Sequence, residues 1–367
     1  MEDKLYGIKH RNFGIEIEMT GLTRCQAAKA VAKLFGTEAS HDGGYYDNYS
    51  VMDSKGRKWT FVFDSSIIPY CRDYDENERS YKVELNSPVL GYEDIPLLQE
   101  VIRALRHAGG VTGPQYCCGT HYHISADDFT PKQIRNLANI FASKEDFLWD
   151  ALQISTVRSN YCRKSDPEFI EQLNKKKPKT MEQIKKLWYK GDMSDAHRHY
   201  SDTRYHALNL HSFFQHGHYE IRCANGSLHA GEVRSQLALV LAINNAAMTK
   251  KYCSARPSYS DNMRYSFRVW LLNLGLIGDE FKNCRMHLLK HLEGNIAWRH
   301  PEDAIAQRER LKEKRLAEKE SRVSPVANER EIFGKVPTEE NEAAVSDCGS
   351  DFDEVSEVEE STAMLTM

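Results

Sequence analysis

Apolar and polar residues alternate with period two in four stretches of the chain, and each predicts a strand whose two faces differ in kind. In Phe13-Gly14-Ile15-Glu16-Ile17-Glu18-Met19 the aliphatic side chains fall on one face and Glu16 and Glu18 on the other. Tyr81, Val83 and Leu85 alternate with Lys82, Glu84 and Asn86; His121 and His123 share a face of 120–124, and Glu220 and Arg222 a face of 219–223. Tyr49-Ser50-Val51-Met52 and Lys58-Trp59-Thr60-Phe61-Val62-Phe63 flank the turn Asp53-Ser54-Lys55-Gly56 and read as a hairpin, closed by Asp64-Ser65-Ser66. A further strand is expected at 205–211.

Between these strands the apolar spacing becomes helical. Thr23 caps a helix that stops at Gly36, and a helix over 95–107 ends at Gly109-Gly110. Thr130-Pro131 opens a long helix to about Asp150, and helices over 229–249, 263–274 and 279–292 follow. Residues 155–204 are basic and irregular around Lys175-Lys176-Lys177-Pro178-Lys179 and read as a helical insertion or lid. Strands joined by hairpins and by helices stacked later indicate an α+β fold, a largely antiparallel sheet with one concave polar face, packed by helices. The expected organisation is one catalytic domain over 1–295, a charged exposed helix over 296–325, and a disordered tail over 326–367 with ten acidic residues and no Lys or Arg between 339 and 360.

Composition narrows the setting. The chain has 367 residues, a net charge of -4 and a pI near 6.4, a balance that does not suit general nucleic-acid binding. Residues 1–10 are charged and lack the apolar run of a secretory leader. The most apolar stretch, 237–248, is short and interrupted by Asn244 and Asn245, so no membrane span is expected. Nine scattered cysteines without a CxxC pair fit reduced thiols, and the cytoplasm is the expected compartment. No oligomeric state is legible.

The four polar faces carry the chemistry. If their strands share one sheet, Glu16, Glu18, Glu84 and Glu220 converge with His121, His123 and Arg222. Like charges that close repel unless something cationic lies between them. A donor set of hard oxygens with a little nitrogen suits Mg²⁺ or Mn²⁺ better than zinc. Carboxylate-held metals beside an arginine are what phosphoryl transfer requires, because charge builds on its oxygens. Each pattern alone has a plainer reading: an acidic solvent face for Glu16 and Glu18, hydrogen-bonded surface histidines for the HxH, a same-face ion pair for Glu220 and Arg222. No GxxxxGK[ST] loop and no HExxH occurs.

The ordered series Gly14-Ile15-Glu16-Ile17-Glu18, Glu84-Leu85-Asn86-Ser87-Pro88, Cys118-Gly119-Thr120-His121-Tyr122-His123 and Tyr219-Glu220-Ile221-Arg222 with Asn225-Gly226 resembles the amidoligase family over roughly residues 10 to 250. The catalytic core of that family is similar to that of glutamine synthetase and glutamate-cysteine ligase. The resemblance implies that Glu16, Glu18, Glu84 and Glu220 hold divalent metals on the nucleotide phosphates and that His121 completes one metal site. It places His123 near the nucleotide and Arg222 on the phosphoryl group in flight. Asp64 stands where a substrate amine could be contacted, although a turn role explains it equally. Glu16 lies so near the start of the sequence that a shared-site ring of the glutamine synthetase type is not expected.

The expected function is ATP-dependent and Mg²⁺-dependent ligation of a small-molecule or peptide carboxylate to an amine through an acyl phosphate. Arg158, Arg163 and Arg204 are candidates for anion contacts to phosphate or carboxylate, with a solvated basic face as the alternative. Cys117, Cys118 and Cys162 read as packing residues, since no base stands near them in sequence. Two other classes stay open, a guanidino-kinase-like phosphotransferase and a non-catalytic adaptor acting through the charged C-terminal segment.

Overall fold

The computed structural model describes residues 7–71, 77–198 and 200–323, and the chain divides into two compact units at Gln307/Arg308. The expected acidic tail, 326–367, lies outside the described residues. In chain order the elements are β1 (Phe13–Met19), α1 (Arg24–Phe35), β2 (Ala39–Gly43), β3 (Asn48–Met52), β4 (Lys58–Val62), β5 (Val83–Asn86), α2 (Ile95–His107), β6 (Gly119–Ser125) and α3 (Pro131–Leu152). The basic insertion contributes α4 (Pro167–Lys176) and α5 (Met181–Trp188). β7 (Leu208–Asn209), α6 (His211–His216), β8 (His218–Asn225), α7 (Ala230–Thr249), α8 (Met263–Asn273), α9 (Lys282–Leu289) and α10 (Pro301–Val323) follow. Residues 308–320 of α10 are exposed, as their charge-rich sequence requires.

The eight strands form one antiparallel sheet in the order β2-β3-β4-β5-β1-β6-β8-β7, so the four strands with polar faces are consecutive neighbours. The chain is therefore an α+β protein with a large antiparallel sheet packed by helices. One sheet face buries Ile15, Ile17, Val83, Leu85, Tyr122 and Ile221. Against this core α2 sets Ile95, Leu98, Val101, Ile102 and Leu105, a stripe at helical spacing in which each aliphatic side chain contributes about 1.5–3 kcal/mol by leaving water. Thr23 with Gln26 and Thr130 with Gln133 form reciprocal caps at the starts of α1 and α3.

Several elements differ from the sequence expectation: the strand expected from Tyr81 begins at Val83, because Glu78–Tyr81 forms a tight helical turn, and the helix expected over 279–292 is α-helical over Lys282–Leu289. β2 was not anticipated, because Ala39-Ser40-His41-Asp42-Gly43 is a half-exposed edge strand with no apolar alternation. The strand expected at 205–211 is cut to Leu208–Asn209, because Asn209 Oδ1 accepts the backbone N–H of His211 (2.8 Å) and Ser212 (3.3 Å) and turns the chain into α6.

The hairpin of β3 and β4 is pinned by buried carboxylates. Asp53 accepts the backbone N–H of Lys55 and Arg57 and the indole N–H of Trp59, and Asp94 accepts from Arg57 and Lys55. Burial acts to raise both carboxyls, yet their hydrogen bonds and cationic partners hold them below the ordinary aspartate range. Stability drawn from such groups is present above the unfolded value near 3.9 and is lost as pH falls through the folded one. We expect Asp94→Asn to cost about 2 kcal/mol at pH 7. Urea denaturation at a series of pH values should show that difference shrinking steadily below about pH 4.

Candidate active site

Register decides which polar groups meet. Glu18 stands opposite Glu84 on β5, Glu16 stands opposite His121 on β6, and His123 stands opposite Glu220 on β8. Between Thr120 and Tyr122 the register shifts, so that His121 alone faces Arg222 and Cys223. A bulge of this kind re-aims side chains and leaves carbonyls without ladder partners. Arg158, 1% exposed, supplies those partners: its guanidinium donates to the carbonyls of Ala224 (2.5 Å), Arg222 (3.1 Å) and Cys223 (3.5 Å). Gly119 permits this approach, since a Cβ there would collide with the Arg158 guanidinium and meet His121 Nε2 at 2.9 Å.

The side chains form one connected network. His121 Nδ1 is 2.9 Å from Glu16 Oε2 and 3.4 Å from Glu220 Oε1, and its Nε2 is 3.5 Å from Glu18 Oε1. Glu18 Oε2 accepts the Gly119 N–H at 2.6 Å, and Glu220 accepts from Asn209 Nδ2 at 2.7 Å and from Arg222 Nη1. His123 Nε2 lies 3.0 Å from Glu16 Oε1, and His123 Nδ1 is 3.2 Å from His218 Nδ1. Asp64 Oδ1 accepts the N–H and hydroxyl of Ser66, which closes its turn, while a carboxylate oxygen of the residue lies within 4.8 Å of those of Glu18 and Glu84.

Two groups of three possible ligands result, Glu18 with Asp64 and Glu84, and Glu16 with His123 and Glu220; in each the ligand atoms lie within 4.8 Å of one another. β1 gives one carboxylate to each.

The electrostatics of the two groups differ. Burial raises Glu84, and the charges of Glu16, Asp64 and Glu18 push it further, well above the ordinary carboxylate range. Burial acts the same way on Glu16 and Glu220, but His123 and His121 draw Glu16 well down, and Arg222 with both imidazoles draws Glu220 down. Burial lowers His123, and the Glu16 carboxylate more than offsets it, so His123 is raised. Among the described residues the Glu84 side is thus short of positive charge. Asn86 Oδ1 is buried without a hydrogen-bond partner, which at a polar sheet face marks an atom left for a ligand. Oxygen-rich donors crowded beyond their own charge balance fit a hard divalent cation.

Beside the Glu16 group opens a cavity of about 610 Å³ bordered by Gly14, Asn86, Ser87, Arg204, Asn209 and His211. Of the three arginines singled out in the sequence, Arg204 lines this cavity, with its guanidinium over the rings of Tyr200 (5.5 Å) and Tyr205 (5.7 Å). Arg158 reaches the site, with Nη2 3.4 Å from His121 Nε2, and gives its other hydrogen bonds to backbone carbonyls. Arg163 donates to the carboxylate and carbonyl of Asp202. Cys118 and Cys162 are buried; burial pushes the Cys118 thiol up to about 12 and raises Cys162 as well. Sequence reading missed Asn209, Gly119 and His218. For Asn209 its position just before a short helical run was a usable signal.

The protein family described as "Putative amidoligase enzyme" matches residues 9–244, well over half of the chain. The chain belongs to this family. The sheet face just described lies inside the matched region. No curated protein matches the chain. Among solved structures it is similar to a bifunctional glutathione synthetase from Pasteurella multocida, at 13% identity and a TM-score of 0.39, over 77% of this chain and 48% of that one. The chain thus spans about half the length of that protein. Among the described residues of this amidoligase, no helix is long and apolar enough to cross a membrane.

Because Glu84 bears the unrelieved repulsion, we expect Glu84→Gln to raise the melting temperature of EDTA-treated protein by about 2–4 °C. Mg²⁺ should then raise the melting temperature of the unmutated protein and leave that of the variant nearly unchanged. Scanning fluorimetry with and without the ion checks both, and a variant less stable than the parent without metal would contradict this view of the site.

Proposed function

We propose that this amidoligase joins a carboxylate to an amine at the expense of ATP, through an acyl phosphate, on a sheet face of the glutamine synthetase catalytic type. The reading is carried by one observation: two ligand groups, each headed by a glutamate of β1, stand beside a buried arginine and a cavity large enough for a substrate. Glu18 and Glu84 would hold one divalent ion, and Glu16 and Glu220, with His121 between the groups, would hold another. Bound Mg²⁺ or Mn²⁺ supplies neutralisation of charge on phosphate oxygens.

The chain's own groups do the rest. In the first step a carboxylate oxygen of the acid bonds to the γ-phosphorus of ATP, the bond from that phosphorus to the β,γ-bridging oxygen breaks, and ADP leaves. Arg222 lies with its guanidinium held by Glu220, so it meets the charge on the transferring phosphoryl group without reorganisation. In the second step the amine nitrogen bonds to the acyl carbon, phosphate departs with the former carboxylate oxygen, and a proton leaves the nitrogen. Asp64, whose Oδ1 is fixed by Ser66, stands at the Glu18–Glu84 end and is assigned to receive the amine. His123 faces the nucleotide, and Arg204 contacts an anionic group of ligand in the cavity. The acid is a small molecule or peptide.

The test is nucleotide turnover by purified protein with Mg²⁺ and pooled amino acids, short peptides and amines. ADP, phosphate and a new amide are expected, with Glu16→Gln and Glu220→Gln each lowering turnover by at least ~10²-fold. AMP as product would overturn the phosphoryl-transfer assignment, and a stable phosphorylated nitrogen without amide would identify a phosphotransferase instead.

A further inference from the structure

On the side of the sheet away from the carboxylates, α2 and α7 cover the apolar face; Tyr122 of β6 reaches α7 there through a 2.7 Å hydrogen bond to Gln236. Between α2, the first turns of α7, and α9 lies a second cavity, of about 370 Å³. Gln99, Arg103 and Arg106 enter it from α2 at spacings of four and three, which puts them on one helix face. Arg234 enters from α7, His287 from α9, and His229 from the α7 cap. Among the described residues that border it there is no Asp or Glu, and a carboxylate nearby, that of Glu232, lies within 4.8 Å of His229 and His287.

Among the described residues, the nearby carboxylates are already held by other groups. Glu232 is held by Lys290 and Ser227, and Glu280 by Lys9 (2.8 Å) and Tyr92 (2.7 Å). Arg103 shares an exposed pair with Glu100. Arg234 makes one long bond, 3.4 Å, to the Glu280 carbonyl, and the guanidinium of the exposed Arg106 has no hydrogen-bond or ion-pair partner among the described residues. Three guanidinium groups thus border one hollow with most of their donors unused. Ala230 and Gly231, the first two residues of α7, add N–H groups that have no acceptor within the helix. Gly231 keeps the hollow open, since a Cβ there would lie 2.7 Å from His287 Nε2 and 3.1 Å from His229 Cε1.

We propose that this cavity binds a phosphate-bearing small molecule, its phosphate oxygens held by Arg106, Arg234 and Arg103. A phosphate monoester carries close to two charges at neutral pH and three oxygens that match guanidinium forks, whereas a single carboxylate leaves more of the positive charge uncompensated. The volume suits a small metabolite. The site is distinct from the carboxylate face and does not depend on the reaction assigned there.

Isothermal titration of the full chain at constant ionic strength, with EDTA present so that no divalent ion bridges an anion to the carboxylate face, tests this with inorganic pyrophosphate as probe. One saturable site is expected, weakened at least tenfold by Arg106→Gln combined with Arg234→Gln and retained by Glu220→Gln. Gly231→Ala, which favours the helix while filling the hollow, should also weaken it. Absence of saturation, equal binding of chloride, tighter binding of succinate than of pyrophosphate, or binding unchanged in the double arginine variant would each overturn the proposal. Turnover of ATP is not part of the readout, so failure here and failure of the ligase reading are told apart.

Discussion

Strand alternation forces Glu16, Glu18, Glu84 and Glu220 onto one side of a sheet whose other side is fully committed to the core. The four carboxylates cannot turn away, because a one-residue slip of any of these strands would carry Ile15, Ile17, Leu85 or Ile221 into the polar face. Much of the nearby structure responds to that constraint. His121 sits among three of the carboxylates, Gly119 gives its N–H to Glu18, and Asn209 and Arg222 hold the two oxygens of Glu220. Among the described residues no cation offsets the charge on Glu84, and the carboxyl there answers by favouring its neutral form. A buried site that spends stability in this way is the pattern expected where charge is being kept ready for a ligand.

The bulge between β6 and β8 links that face to the insertion. Irregular pairing sets His121 against Arg222 and Cys223 and frees carbonyls that the β-ladder would otherwise use. Arg158, from the short helical turn at the start of the insertion, fills that need, and it can do so only because Gly119 lacks a side chain. Thus a residue outside the sheet, a glycine inside it and a register shift act as one unit. Losing any of the three would displace His121 and Arg222 together.

The polar faces were legible because the two-residue period needs no tertiary information: Glu16, Glu18, Glu84, His121, His123, Glu220 and Arg222 could be paired off strand by strand, and the structure brings all seven to one surface. The order β5-β1-β6-β8 was not legible, and with it went the knowledge that Glu18 faces Glu84 while His123 faces Glu220. Long-range partners were hidden for the same reason. Nothing near Arg158 in sequence marks it as a brace for carbonyls more than sixty residues away, and nothing near Arg163 shows that Asp202 holds it. β2 escaped because an edge strand has no core to declare. The helix starts at Thr23 and Thr130 were visible because capping is settled within four residues.

We propose that the sheet face is built for two divalent cations, one on each side of β1. Binding of Mn²⁺ to EDTA-stripped protein, counted by the loss of its free-ion paramagnetic resonance signal, tests this most directly. Two ions per chain are predicted, with Glu84→Gln and Glu220→Gln each removing one and leaving the other. No binding, or binding that neither substitution disturbs, would contradict it.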